Sequence, residues 1–150
     1  MTTSHAPAAG TTRAEEAVAL FRQAIERGWN QGDLSAIDEL FSDDFVEHQA
    51  GIGPGCDGVK GSIRFLRTAF PDLHLTVEDA ASAGDRVWLR ISAVGTHTGP
   101  FGEVPATDRT FRIDVIDVGR VADGRIAEHW GVADRMSLAQ QLGIAVGGTR

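Results

Sequence analysis

The stretch GRIAEHWGVADRMSLAQQLG, Gly124 to Gly143, leaves a turn glycine, runs to Ala133 as an extended segment, and passes Asp134 into a second element. It reads as a strand from Arg125 to about Ala133, followed by a helix whose start Asp134 caps with its side-chain oxygen. Residues two apart share a strand face, so His129 lies between Ala127, Gly131 and Ala133, all of them small. Buried histidines are ordinarily packed by large side chains or satisfied by a partner. Here the expectation is a low floor around His129 that leaves room beside the ring.

Working outward, Ala122-Asp123-Gly124 is a hairpin signal, and the strand before it carries Phe111, Ile113 and Val115 in alternation with Arg112 and Asp114. Asp117 ends that stripe. A three-residue loop, with Gly124 left-handed, puts Asp117 and His129 on one face; a two-residue Asp123-Gly124 turn shifts the pairing by one and brings Asp114 beside His129 instead. The first is favoured. A second hairpin at Ser82-Ala83-Gly84-Asp85 joins an alternation at Leu73, Leu75 and Val77 to another at Val87, Leu89, Ile91 and Ala93. Before Pro71 the period is helical. Thr12 and Glu15 form a capping box ahead of Ala14, Val18, Phe21, Ile25 and Trp29, with Gly28 as the stop. Asp33 caps a short helix through Leu34, Ile37, Leu40 and Phe41. A brief extended piece ends at Glu47 and His48, and Asp57 caps a third helix that Pro71 closes. Helices first and long antiparallel strands after them define an α+β domain: a curved antiparallel sheet over three N-terminal helices, spanning 13–143, between a disordered tail at 1–12 and a C-terminal tail at 144–150.

The 150 residues fit one domain, with 42% hydrophobic and 23% charged side chains, ordinary for a globular protein. Net charge is −7 and Lys60 is the single lysine, so no basic run tracks a phosphate backbone and nucleic acid is excluded as a partner. Cys56, the one cysteine, makes no internal disulfide and reads as a loop thiol without a role. No apolar run reaches membrane-spanning length, and the N-terminus, His5 included, lacks a signal peptide's basic and apolar regions. A cytoplasmic protein is expected.

FSDDFVEH, LRTAFPDLHLTVED, GDRVWLRISAVGTHTGPF and EHWGVADRMSLAQQLG, in that order from about Glu15 to Gly143, resemble the SnoaL-like polyketide cyclases, also called ester cyclases. The resemblance implies the cone of the nuclear transport factor two-like superfamily, in which a bent sheet and three helices enclose a deep apolar cavity. It also implies a homo-oligomer, dimer or tetramer, built on the sheet's outer face. Well-known members close a ring by intramolecular aldol condensation without metal or cofactor; others perform pericyclic or ether closures or assist hydroxylation. In the aldol cyclases the acid/base is an aspartate two residues after the strand histidine. That position here is Gly131.

The resemblance and the face pattern together assign His129 as the proton-transfer group and Asp117, where relatives place a polar pocket residue, as its partner acid. Arg120 is the alternative partner for Asp117. His48 is assigned to ligand binding, with Glu47 the alternative from the same turn; Phe111 and Val115 form the apolar wall and Gly131 the floor. His97 braces the loop to Phe101, and Trp88 and Trp130 pack at an interface or wall. No cofactor is assigned, and a zinc site at His48, His97 and His129 is set aside because no pair has ligand spacing. The expected function is a cofactor-free cyclase or isomerase acting on an apolar, polyketide-like substrate by acid/base chemistry or by positioning alone. Gly131 keeps a second reading open, a non-catalytic binding protein or auxiliary partner.

Overall fold

The computed structural model describes residues 9–146. Helix α1 (Ala9–Gln23) continues without a break as a π-helical segment to Asn30. It therefore begins three residues before the capping box and runs through Gly28, correcting both expected ends. Four residues of the expected 1–12 tail are helical; the remainder, with His5, lies outside the described residues. Gly28 lies buried within the π-helical segment, where its bare Cα admits a neighbour: a Cβ there would stand 3.3 Å from the Ile37 side chain. The end is fixed from outside, where Arg67 donates to the carbonyls of Trp29 (3.0 Å) and Asn30 (2.9 Å). The Asn30 amide docks on the sheet, donating to Leu75 O at 3.0 Å and accepting from Leu75 N at 2.8 Å.

Helix α2 (Ser35–Leu40) starts after Asp33, whose carboxylate accepts from Ser35 N. Strand β1 (Phe41–Glu47) follows directly. Helix α3 (Gly55–Ala69) begins two residues before Asp57, so Cys56 sits in its first turn and not in a loop; burial pushes the thiol pKa up. The helix ends ahead of Pro71, as expected. Strands β2 (His74–Ala83), β3 (Arg86–Thr96), β4 (Thr110–Ala122) and β5 (Arg125–Ala133) form the meander. Helix α4 (Arg135–Leu142) closes the fold, with Asp134 accepting from Ser137 N at 2.9 Å. Ile144, assigned to the C-terminal tail, instead packs on the core, its N–H bonded to Ala139 O across a left-handed Gly143.

The sheet order is β1-β5-β4-β3-β2. Four strands are antiparallel, as read from the sequence, but β1 joins β5 in parallel, so the sheet is mixed. The β4–β5 turn has two residues: Ala122 pairs with Arg125, and Asp123 (φ 51°) and Gly124 (φ 72°) are both left-handed, the type I′ pattern. The favoured three-residue loop is thus corrected. Its consequence survives, because Ala127 is a β-bulge: Val121 pairs with Ile126 while the next pair is Arg120 with Glu128. The bulge returns the residue that the shorter turn removed. His129 pairs with Gly119 and Gly131 with Asp117, so Asp117 and His129 share a face and Asp114 does not join them.

Two apolar clusters fill the concave side. One joins α1, its π segment and α2 to β3 through Phe21, Ile25, Ile37, Leu89 and Ile91; the other sets Phe70, Leu73 and Phe111 against Leu138 and Leu142 of α4. Each fully buried side chain of this size contributes about 1.5–3 kcal/mol. Trp29, Leu75 and Val115 touch both clusters, and the space between the two is not closed. Gly119 lets α1 lie this close to the sheet, since a Cβ at 119 would fall 1.8 Å from the Phe21 ring.

Candidate functional site

A cavity of about 490 Å³ opens between the two clusters. Its walls are largely apolar, aliphatic side chains mixed with the rings of Phe21, Trp29, Phe65, Phe70, Phe101 and Phe111, and Ile25 and Trp29 are supplied by the π-helical segment. Widened helical turns recur at functional sites because they re-aim side chains that a regular helix would place elsewhere. Phe111 and Val115 line the cavity, as assigned from the sequence, and so does Ala133. Among the described residues no helix is long and apolar enough to cross a membrane.

One end of this apolar space is charged. Three adjacent strands each contribute a side chain: Glu47 from β1, His129 from β5, Asp117 from β4. Parallel pairing sets Glu47 beside His129, and His129 Nδ1 donates to Glu47 Oε1 at 2.8 Å and lies 3.0 Å from Oε2. The Glu47 side chain is only 2% exposed and accepts a second hydrogen bond from Gln49 N at 2.8 Å. On the other side of the ring, Nε2 stands 3.2 Å from Asp117 Oδ1. The approach is too oblique for a hydrogen bond, and Asp117 Oδ1 is buried with no aligned donor. Burial opposes charge on the ring, but the Asp117 and Glu47 carboxylates outweigh it and push the His129 pKa up to about 10. At neutral pH His129 is an imidazolium clamped between two carboxylates.

This answers why the strand leaves room beside its histidine, and the answer differs from the expected low floor. Gly131 is not open: a Cβ there would fall 2.2 Å from Gln49 Oε1 and 2.8 Å from Asp117 Oδ1. The glycine makes space for protein atoms, and Gly131 itself does not line the cavity. Ala127 is the bulged residue, buried and away from the cavity.

His48 is likewise corrected. Side chains alternate along β1, so Glu47 faces inward and His48 outward; His48 stacks on Trp130 at 4.5 Å between ring centroids and meets Glu128 at 2.9 Å. Glu47, the alternative from the same turn, occupies the cavity. Arg120 pairs with Glu128 at 2.8 Å, which leaves Asp117 to His129. Trp88 and Trp130 lie on the outer face. His97 is fully buried, its Nδ1 3.0 Å from Thr107 Oγ1, and its backbone ties the 97–109 loop together at Arg109 and Asp108. Gln49 and Arg135 escaped the sequence reading. Arg135 lines the mouth and donates to Ala50 O. Neither position carries a local signal, since a loop amide and a helix arginine gain meaning only from the cavity they border. Among the described residues no group of three or more histidine, cysteine or acidic side chains is arranged to hold a metal ion.

A bent sheet closed by helices over a charged-ended apolar cavity defines a small-molecule site on a nuclear transport factor two-like cone. The model of the SnoaL-like polyketide cyclases matches residues 19–142, and the chain belongs to that family. It is 26% identical over 130 residues to the aklanonic acid methyl ester cyclase of Streptomyces peucetius, covering 83% of this chain and 88% of that one. It is 26% identical over 122 residues to the nogalonic acid methyl ester cyclase of Streptomyces nogalater, covering 77% and 89%. Among solved structures it superposes on TsrD from Streptomyces laurentii with a TM-score of 0.79 at 27% identity, covering 87% of this chain and 97% of that one. For IdmH from Streptomyces antibioticus the TM-score is 0.75 at 36% identity, covering 85% and 99%.

Proposed function

We propose that the chain catalyses ring closure or a related isomerisation of an apolar, polyketide-like substrate held in this cavity, without a cofactor. The observation that carries the reading is the Glu47–His129–Asp117 array at the end of an otherwise apolar space, in a chain whose curated relatives are named cyclases. An imidazolium with a pKa of about 10 is a poor proton acceptor at neutral pH. The roles assigned from the sequence are therefore exchanged: Asp117, whose Oδ1 has no aligned donor, takes the substrate proton, and His129 supplies fixed positive charge for the oxyanion that results. Glu47 holds the ring in place. In an aldol-type closure the proton leaves for Asp117, the resulting carbon nucleophile attacks a second carbonyl, and the alkoxide recovers the proton from Asp117. Nothing else is consumed.

Asp117→Asn and His129→Ala are each expected to lower turnover at least tenfold with the melting temperature and circular dichroism of a folded protein. Unchanged turnover in both removes the mechanism. A ligand-binding or auxiliary role is the second reading, favoured by the absence of an acid at position 131; retained ligand affinity without turnover in the native chain would support it. Cytoplasmic residence and a homo-oligomer joined through the outer sheet face complete the proposal, the latter supported by Ile116, Val132 and Trp88 exposed there.

A further inference from the structure

Reading the cavity as the seat of a ring-shaped ligand leaves open which functional group that ligand turns toward the charged end. Two oxygens face each other there. Gln49 Oε1 and Asp117 Oδ1 lie 2.2 Å and 2.8 Å from one common point, the Cβ that residue 131 lacks, and both side chains line the cavity. Asp117 Oδ1 has no aligned donor. His129 Nδ1 is engaged by Glu47 and one Arg135 nitrogen by Ala50 O, while His129 Nε2 stands 3.2 Å from Asp117 Oδ1 and out of line with it. Gln49 turns its amide oxygen, not its N–H, to this point, and Trp29 and Ser62, further N–H- or hydroxyl-bearing lining residues, come from helices and not from the sheet. A ligand carbonyl placed here can take a hydrogen bond from His129 Nε2, but it sets a third acceptor against two others and leaves the carboxylate oxygen unmet. A hydroxyl brings the missing hydrogen.

From this juxtaposition we infer that the charged end selects an acidic hydroxyl, the O–H of an enol or phenol, which donates to Asp117 Oδ1 with Gln49 as the second acceptor. Within the proposed reaction the consequence is specific. The nucleophile arises by O–H deprotonation of an enol: Asp117 takes that proton, the enolate carbon forms the new C–C bond to the electrophilic carbonyl carbon, and the carbonyl's π pair becomes an alkoxide that recovers the proton from Asp117. Atoms balance within the substrate. Gln49 is a specificity-determining residue here, because its carboxamide fills the space a side chain at 131 would need.

The test compares 2-naphthol with 2-methoxynaphthalene, which keeps the rings and the acceptor oxygen but lacks the donor. A site built around a buried acceptor rejects the analogue without the hydrogen, and the acceptor here is a carboxylate. Calorimetric titration of the native chain is expected to give at least tenfold tighter binding of 2-naphthol. In Asp117→Asn, which offers its own N–H, the preference should fall below about threefold. Equal affinities in the native chain, tighter binding of the ether, or a preference unchanged in Asp117→Asn would overturn the inference while leaving the cavity reading intact. Binding of neither ring overturns both.

Discussion

At His129 the fold holds a proton that the free side chain would share with water. An unfolded ring releases it near 6.5, whereas the folded ring, between Glu47 and Asp117, keeps it to about 10. A raised folded pKa stabilises most below the unfolded value, and that contribution drains away as pH climbs toward 10. Denaturant titrations between about pH 6 and pH 10 should therefore show stability falling by on the order of a few kcal/mol, a fall absent in His129→Gln. In Glu47→Gln the ring's titration, followed by proton NMR, should move down toward neutrality. Gly131 carries a second prediction. Restoring a carboxylate by Gly131→Asp drives it into Gln49 and Asp117, costing about 1–3 kcal/mol from overpacking; adding Gln49→Ala should recover most of the loss, since it removes the atom 2.2 Å from the new Cβ. Additive effects in the double variant would show that the two positions do not compete for space.

At the scale of the element, the β4–β5 hairpin decides which residues can react together. Its two-residue turn alone would have turned His129 away from Asp117. The bulge at Ala127 reverses that, and β1, added in parallel, sets Glu47 on the far side of the ring. Deleting Ala127 removes only the unpaired residue and leaves Val121 opposite Ile126, Arg120 opposite Glu128 and Gly119 opposite His129, so the ring is expected to stay on the Asp117 face and to keep its raised pKa in proton NMR. A histidine that titrated near its ordinary value after the deletion would show that face sharing is not set by this register. The π-helical end of α1 acts in the same way on the opposite wall, presenting Ile25 and Trp29 to the cavity while Asn30 pins the helix to β2.

For the whole molecule, the sheet divides a concave side that holds the cavity from a convex side carrying Val132 at 73% exposure, with Ile116 at 47% and Trp88 at 41%. Apolar side chains gathered on one open sheet face mark an association surface. Val132→Arg is expected to shift the chain toward monomer in sedimentation analysis without altering ligand affinity in the cavity on the other face. A native chain that already sediments as a monomer would sink the oligomer proposal.

Much of this architecture was legible in local pattern. The period change at Pro71, the alternations of the four long strands and the cap at Asp134 each report a residue's own neighbours, so they determined the elements, their order and the α+β class. Phe111 and Val115 could be placed on the cavity side because inward-facing apolar stripes are local. What no window of sequence contains is how strands meet. Whether His129 faced Asp117 depended on one bulged alanine; whether Glu47 or His48 entered the cavity depended on the parallel docking of β1; whether Gly131 was vacant depended on a glutamine 82 positions away. Periodicity fixes which side chains share a face, but register and long-range contact fix which of them touch, and the chemistry proposed for this chain rests on that contact.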